Sequence, residues 1–233
     1  MKERLDKIIS SRCLLTRTEA AKAIRRGRVS VDGKVCTIPD SKFDTCENVI
    51  TLDGNKVKRS PYLYIMMNKP EGVLSATEDK NCATVLDLLP EEYARRGLGV
   101  VGRLDKDATG LLLLTDDGQL NHRLTSPKSH ATKLYRVTTD KPALPEHIDA
   151  FASGMDLGDF IAKPGKLILG EGESFVEISE GKFHQVKRMF EKVGLHVLTL
   201  KRLRIGALQL DESLGAGEYR LLTEEEEKQI GAF

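Results

Sequence analysis

Apolar residues follow helical spacing twice near the amino terminus. Leu5, Ile8 and Ile9 mark one helix face, and Ala20, Ala23 and Ile24 mark a second, smaller face suited to close packing. Thr16 followed by Glu19 predicts a capping box that opens the second helix, and Gly27 predicts its stop. The pattern then changes to alternation. VSVDGKV at 29–35 predicts a hairpin turning at Asp32–Gly33, and VITLDG at 49–54 predicts a further strand and turn. YLYIMM at 62–67 reads as a buried strand, and Leu111 to Leu114 read as a strand buried on both faces. Segments 134–138, 173–179 and 195–200 are also β-prone. Helical candidates occupy 83–95, 117–124, 184–193 and the acidic tail. No tandem repeat of solenoid length is present. Strands and helices interspersed in this way predict an α+β fold with a mixed sheet.

At 233 residues the chain can bury a sizeable core, in one domain or in a smaller domain joined to a larger one. No apolar run approaches the length of a membrane-spanning helix, and MKERLDKIIS lacks the long apolar segment of a signal peptide. Cytoplasmic residence without membrane partners is therefore the default expectation. Cys13, Cys36, Cys46 and Cys82 form no C-x-x-C pair and are expected to be scattered reduced thiols. Net charge is only +1, but it is unevenly placed. Residues 1–60 hold 14 basic and 8 acidic residues, and 182–204 hold seven Lys or Arg against one Glu. Two concentrated positive regions suggest directed contact with a polyanion, although a solvated charged surface would look the same. A charge cluster at Lys56, Lys58 and Arg59 followed by Pro61 suggests a boundary near 55–61, dividing the chain into 1–58 and 59–233.

Several residues can carry chemistry. Lys22, Arg25 and Arg26 fall at i, i+3 and i+4, so they can project together from the second helix, and Arg28 adds charge past its end. Such a row suits phosphate-backbone contact. In VGRLDKDATGLLLLTDDG, residues 101–118, Asp105 lies between Arg103 and Lys106 just ahead of the leucine run. A carboxylate held beside a buried strand can be positioned for nucleophilic work, or it can simply be a salt-bridged or capping group. Asp105, Asp107, Asp116 and Asp117 do not follow calcium-loop spacing, and no phosphate loop or dinucleotide fingerprint is present. In HATKLYRV, 130–137, Tyr135 can face a cleft and stack on a base, or it can serve the core. In GKFHQVKRMFEKVG, 181–194, Val186, Met189, Phe190 and Val193 form a packing stripe. Lys187 lies off that stripe in the first turns, facing a cleft or solvent. His184 is an imperfect acid–base candidate, because no acid near it in sequence supplies a pair.

RLDK at 4–7 and TRTEAAKAIRRGRVSVDGKV at 16–35 resemble an S4-type RNA-binding domain. That likeness implies two packed helices and a short hairpin gripping structured RNA, with Arg17, Lys22, Arg25, Arg26 and Arg28 as phosphate contacts. NKPEGVLSA (68–76), GRLDKDATGLLLLTDDG, KLYRV, GKFHQVKRM and KRLRIG (201–206) follow in the order found in RsuA-type pseudouridine synthases, and the chain resembles that family almost throughout. The resemblance implies a mixed-sheet catalytic domain that isomerises uridine to pseudouridine in small-subunit ribosomal RNA or its assembly intermediate. It assigns catalysis to Asp105, base stacking to Tyr135 and orientation of the aspartate to Lys187, a position where many relatives carry Arg. Lys cannot reproduce a guanidinium's two-pronged grip but still pairs by charge. Arg103 is implied in RNA contact or loop positioning, and Arg188 in RNA contact. Leu134 or Val137 would help exclude water, or serve only in packing. No cofactor or metal is implied, and a monomer is the default. The alternatives are a large-subunit RNA substrate, or an RNA-binding assembly protein without chemistry.

Overall fold

The computed structural model describes residues 2–58, 60–126 and 131–231; Arg59 of the charge cluster and His130 of the HATKLYRV segment lie outside them. The chain divides into two compact units, 1–63 and 64–233, so the division falls five residues beyond the one read from the charge cluster.

In the first unit, helices Leu5–Arg12 and Arg17–Arg25 pack through the two predicted apolar faces, with Leu5, Ile8, Ile9, Ala20 and Ile24 fully buried. Thr16 and Glu19 form the reciprocal capping box at the second helix. Its end is closed by a left-handed Gly27, with Gly27 N donating to Ile24 O (3.0 Å) and Arg28 N to Ala23 O (3.2 Å). Strands Val29–Val31 and Lys34–Val35 meet at Asp32–Gly33, and Ile50–Leu52 and Asn55–Lys56 meet at Asp53–Gly54. Both residues of each turn have positive φ, as tight two-residue hairpins demand. The four strands form one sheet with Val29, Val31 and Ile50 against the helices.

The second unit is built on a nine-stranded mixed sheet. Its path runs Lys166–Leu169, Ser174–Ile178, Lys133–Thr139, Val197–Ile205, Thr109–Thr115, Tyr64–Lys69, Tyr219–Leu221. Gly99–Val101 and Leu208–Gln209 pair off this path. The leucine strand, Thr109–Thr115, is central. Leu111 and Leu113 pack with Leu120 and Leu124 of helix Gly118–Thr125 and Ile230 of helix Glu224–Gly231, while Leu112 and Leu114, also 0% exposed, point to the opposite face of the pleat. Helices Pro145–Ser153 and Gln185–Lys192 meet through Phe151 and Phe190, whose rings are 5.0 Å apart.

One row across this sheet decides where the chemistry can sit. Tyr135 pairs with Arg202, and Arg202 pairs with Gly110 in the one parallel junction, between the leucine strand and Val197–Ile205. The chain approaches so closely there that a Cβ on Gly110 would lie 2.3 Å from the Arg202 carbonyl oxygen. Gly110 also has φ +98°, so glycine is required twice over.

Two sequence expectations are corrected. The helix expected over 83–95 is confined to Glu91–Ala94. Asp87 Oδ2 instead accepts from the amide (2.7 Å) and hydroxyl (3.0 Å) of Thr84, folding the apolar segment into a turn that buries Val85 and Leu89, and Pro90 then interrupts any continuing helix. The strand expected over 195–200 runs instead through Ile205, taking in the basic stretch, because alternate residues there turn inward.

Candidate active site

Residues 102–108, between strands Gly99–Val101 and Thr109–Thr115, form the loop that carries Asp105, and buried groups hold its backbone from beneath. Ser75 Oγ donates to Leu104 O (2.9 Å) and accepts from Leu104 N (3.1 Å). Lys69, 0% exposed, donates its ammonium to the carbonyls of Pro70 (2.9 Å), Lys106 (3.2 Å) and Ala108 (2.9 Å). Arg202, 1% exposed, donates to Gly102 O and Leu111 O, both at 2.8 Å. Two buried cations thus grip five carbonyls in and around one loop. Burial pushes the Lys69 ammonium down to about 8, against the opposing pull of Asp107 and Asp105.

Above this brace stand the side chains. Asp105 is about one-quarter exposed, with Oδ2 3.4 Å from Lys187 Nζ and Oδ1 3.5 Å from His184 Nε2. Lys187 is closer to Asp107, at 2.5 Å, and that hydrogen bond holds the Asp107 carboxyl below its ordinary range. Lys187 rises from helix Gln185–Lys192, whose Val186, Met189 and Phe190 are buried. The helix start is fixed by Gln185, which accepts from Lys182 N (3.0 Å) and donates to Glu180 (2.9 Å).

Asp105, Arg103, Tyr135 and His184 line one pocket, with Ile178, Val186 and Leu200 among its apolar walls. Tyr135 is 7% exposed and reaches the pocket from its strand. Leu134, the next residue in the strand, lines a different groove, with Arg136 and Lys201, and Val137 is fully buried. Neither therefore lines the pocket, and of its apolar walls Ile178, Val186 and Leu200 the sequence marked only Val186, as a packing residue.

The positive residues divide into two groups. Lys22, Arg25, Arg26 and Arg103 are exposed and have no partner among the described residues. Arg17 pairs with Asp6 at 3.0 Å, and Arg28 grips Asp53 through two bonds of 2.8 and 2.5 Å. Arg188 is engaged by Asp159 and by Leu157 O (2.5 Å), away from the pocket. Arg204 pairs with Glu177 at 2.9 Å. Four of the seven cations over 182–204, Lys187, Arg188, Arg202 and Arg204, are thus committed to partners within the chain rather than left as a solvated surface.

Two contributors escaped sequence reading, and a third was read without its partner. His184 finds its acid partner 79 positions away, and Lys69 and Arg202 act on backbone carbonyls that no side-chain pattern reveals. Their signals were a lysine ending a buried strand and an arginine at an inward position of KRLRI. Among the described residues no cluster of His, Cys, Asp and Glu has the makings of a metal site, and no helix is long and apolar enough to cross a membrane.

Comparison with known proteins places the site in context. The family model described as RNA pseudouridylate synthase matches residues 63–192, and an S4 domain model matches 3–49. Ribosomal small subunit pseudouridine synthase A of Escherichia coli (strain K12) is 43% identical over 228 residues, 96% of this chain and 97% of that protein. An RNA pseudouridine synthase of Bacillus subtilis (strain 168), YtzG, is 43% identical over 229 residues, 96% of each chain. A crystal structure of a pseudouridylate synthase superposes with a TM-score of 0.69 at 39% identity, over 97% of this chain and 99% of that one.

Proposed function

The chain belongs to the RNA pseudouridylate synthase family, and on that footing we propose that it isomerises a specific uridine of small-subunit ribosomal RNA with Asp105 as its catalytic carboxylate. The observation that carries this reading is a single pocket in which Asp105 and Tyr135 face common space while Lys187 stands 3.4 Å from the carboxylate.

The reaction breaks the N1–C1′ bond of uridine, turns the uracil and joins C5 to C1′. The proton lost from C5 is balanced by the one gained at N1. Nothing is oxidised or hydrolysed, so the reaction calls for no redox cofactor or nucleoside triphosphate. Asp105 opens the sequence by attacking C1′ or by removing the 2′ proton; both routes need the carboxylate against the ribose of an everted nucleotide. Lys187 fixes the direction of that carboxylate from one side. Tyr135 stacks on the turned base, a role that suits a neutral phenol better than unaided proton abstraction. Ile178, Val186 and Leu200 keep water from the sugar while its bond is open.

Small-subunit RNA is favoured over large-subunit RNA by the near-complete coverage of relatives bearing that name. A cytoplasmic location is part of the proposal because it rests on a ribosomal RNA substrate, and a monomer is its default. The test is incubation with ribosomal RNA and assembly intermediates, followed by site-resolved pseudouridine mapping. Wild type should create one discrete modification in small-subunit RNA. Asp105→Asn should bind the same RNA and make none. Equal modification by both proteins contradicts the assignment, and a discrete product in large-subunit RNA moves the substrate.

A further inference from the structure

Phe183 is 73% exposed, directly before the helix that carries Lys187. A lone exposed aromatic ring needs no explanation. This one differs in its surroundings. Its ring lies parallel to the His184 imidazole, with centroids 3.8 Å apart and planes 16° from parallel. His184 is held at φ +48°, a left-handed conformation costly for a residue with a side chain, and its Nε2 reaches to 3.5 Å from Asp105 Oδ1. Carboxylate, imidazole and phenyl ring therefore form one continuous series leading from the pocket floor to the surface. Two exposed cations, Arg103 and Lys182, line the same pocket as His184, the Lys182 ammonium lying 4.1 Å from the Phe160 ring centroid.

Resting on the Asp105 reading, we propose that the Phe183–His184 stack is a second base-binding subsite, which takes the unpaired nucleobase next in the strand to the uridine held in the pocket. An aromatic face beside cations is the chemistry that binds single-stranded nucleic acid, because every base has a face to stack and every linkage a phosphate to neutralise. The subsite also explains how an everted uridine is kept out of its helix. Its neighbour, once unstacked, gains a replacement partner on the protein. The pair thus favours a target in a loop or an unpaired stretch and reads the shape of the strand more than its sequence.

The test uses the small-subunit RNA fragment around the modified uridine, with 2-aminopurine or an abasic residue in place of the neighbour on either side. Wild type should quench 2-aminopurine on one side, and Phe183→Ala should not, at an unchanged melting temperature. Phe183→Ala should lower kcat/KM by about fivefold to a hundredfold, the effect of losing one stacked base, and Phe183→Trp should keep most of it. The abasic neighbour should impose a similar loss on wild type and little further loss on Phe183→Ala. Quenching that survives in Phe183→Ala, or an abasic penalty that adds in full to the variant's own, overturns the subsite. Asp105→Asn separates the two readings: it should still quench 2-aminopurine while making no product. Undiminished product from Asp105→Asn, with quenching still dependent on Phe183, removes the catalytic assignment alone.

Discussion

Lys187 divides its ammonium between two carboxylates, 2.5 Å from Asp107 and 3.4 Å from Asp105. An arginine could hold both with separate nitrogens, whereas a lysine presents one compact charge. Asp107 therefore restrains Lys187, and Lys187 in turn restrains Asp105. Its removal should act on turnover rather than on RNA affinity. For Lys187→Ala we expect kcat at saturating RNA to fall by about one to two orders of magnitude, the range for losing a charge-assisted contact, with Lys187→Arg keeping much of the activity. A defect that vanishes at saturating RNA contradicts the orienting role. Sequence brought Asp105, Tyr135 and Lys187 into view through chemical type and family likeness, but not the sharing of Lys187, which depends on a contact across 80 positions. His184 was legible as a titratable group without a partner, and its partner came from the fold.

Among the elements, those written locally were the legible ones. The Thr16–Glu19 cap, the Asp32–Gly33 turn and the Leu111–Leu114 strand each depend on residues a few positions apart, and each forms as its pattern requires. Segment 83–95 has apolar residues at helical spacing, yet the bond between Asp87 and Thr84 and the proline at 90 outweigh that periodicity. The inward turn of Arg202 was hidden as well, because it depends on the parallel junction with Gly110. That junction adjoins the Asp105 loop, which gives it a measurable consequence. Gly110→Ala sets a Cβ against the Arg202 backbone at a positive φ and should cost about 3 kcal/mol or more of stability, read as a fall of several degrees in melting temperature. Gly118→Ala, at a helix start with open space around it, is the control and should change stability by less than about 1 kcal/mol. Equal effects from both would mean that the close approach is not what demands glycine.

At the scale of the whole molecule, one unit holds the exposed basic row and the other holds the pocket. The near-zero net charge conceals this division, and local charge counts only partly reveal it. The amino-terminal excess does present free cations at Lys22, Arg25 and Arg26, whereas the excess over 182–204 is largely spent on internal partners. Binding and chemistry should therefore separate by mutation. Arg25→Ala with Arg26→Ala should weaken RNA binding and make its salt dependence shallower by about one to two units of log K against log salt, with turnover at saturation little changed. An unchanged slope would remove both residues from the phosphate contacts.

If Asp105 is the catalytic carboxylate, it must meet the ribose of an everted uridine. The most direct measurement is the structure of Asp105→Asn bound to its target RNA fragment. We expect the uridine out of its stack, its base against Tyr135, and the side chain at position 105 within about 3.5 Å of C1′ or the 2′ position. A uridine still stacked in the RNA, or a ribose held at roughly twice that distance with the pocket closed, would contradict it.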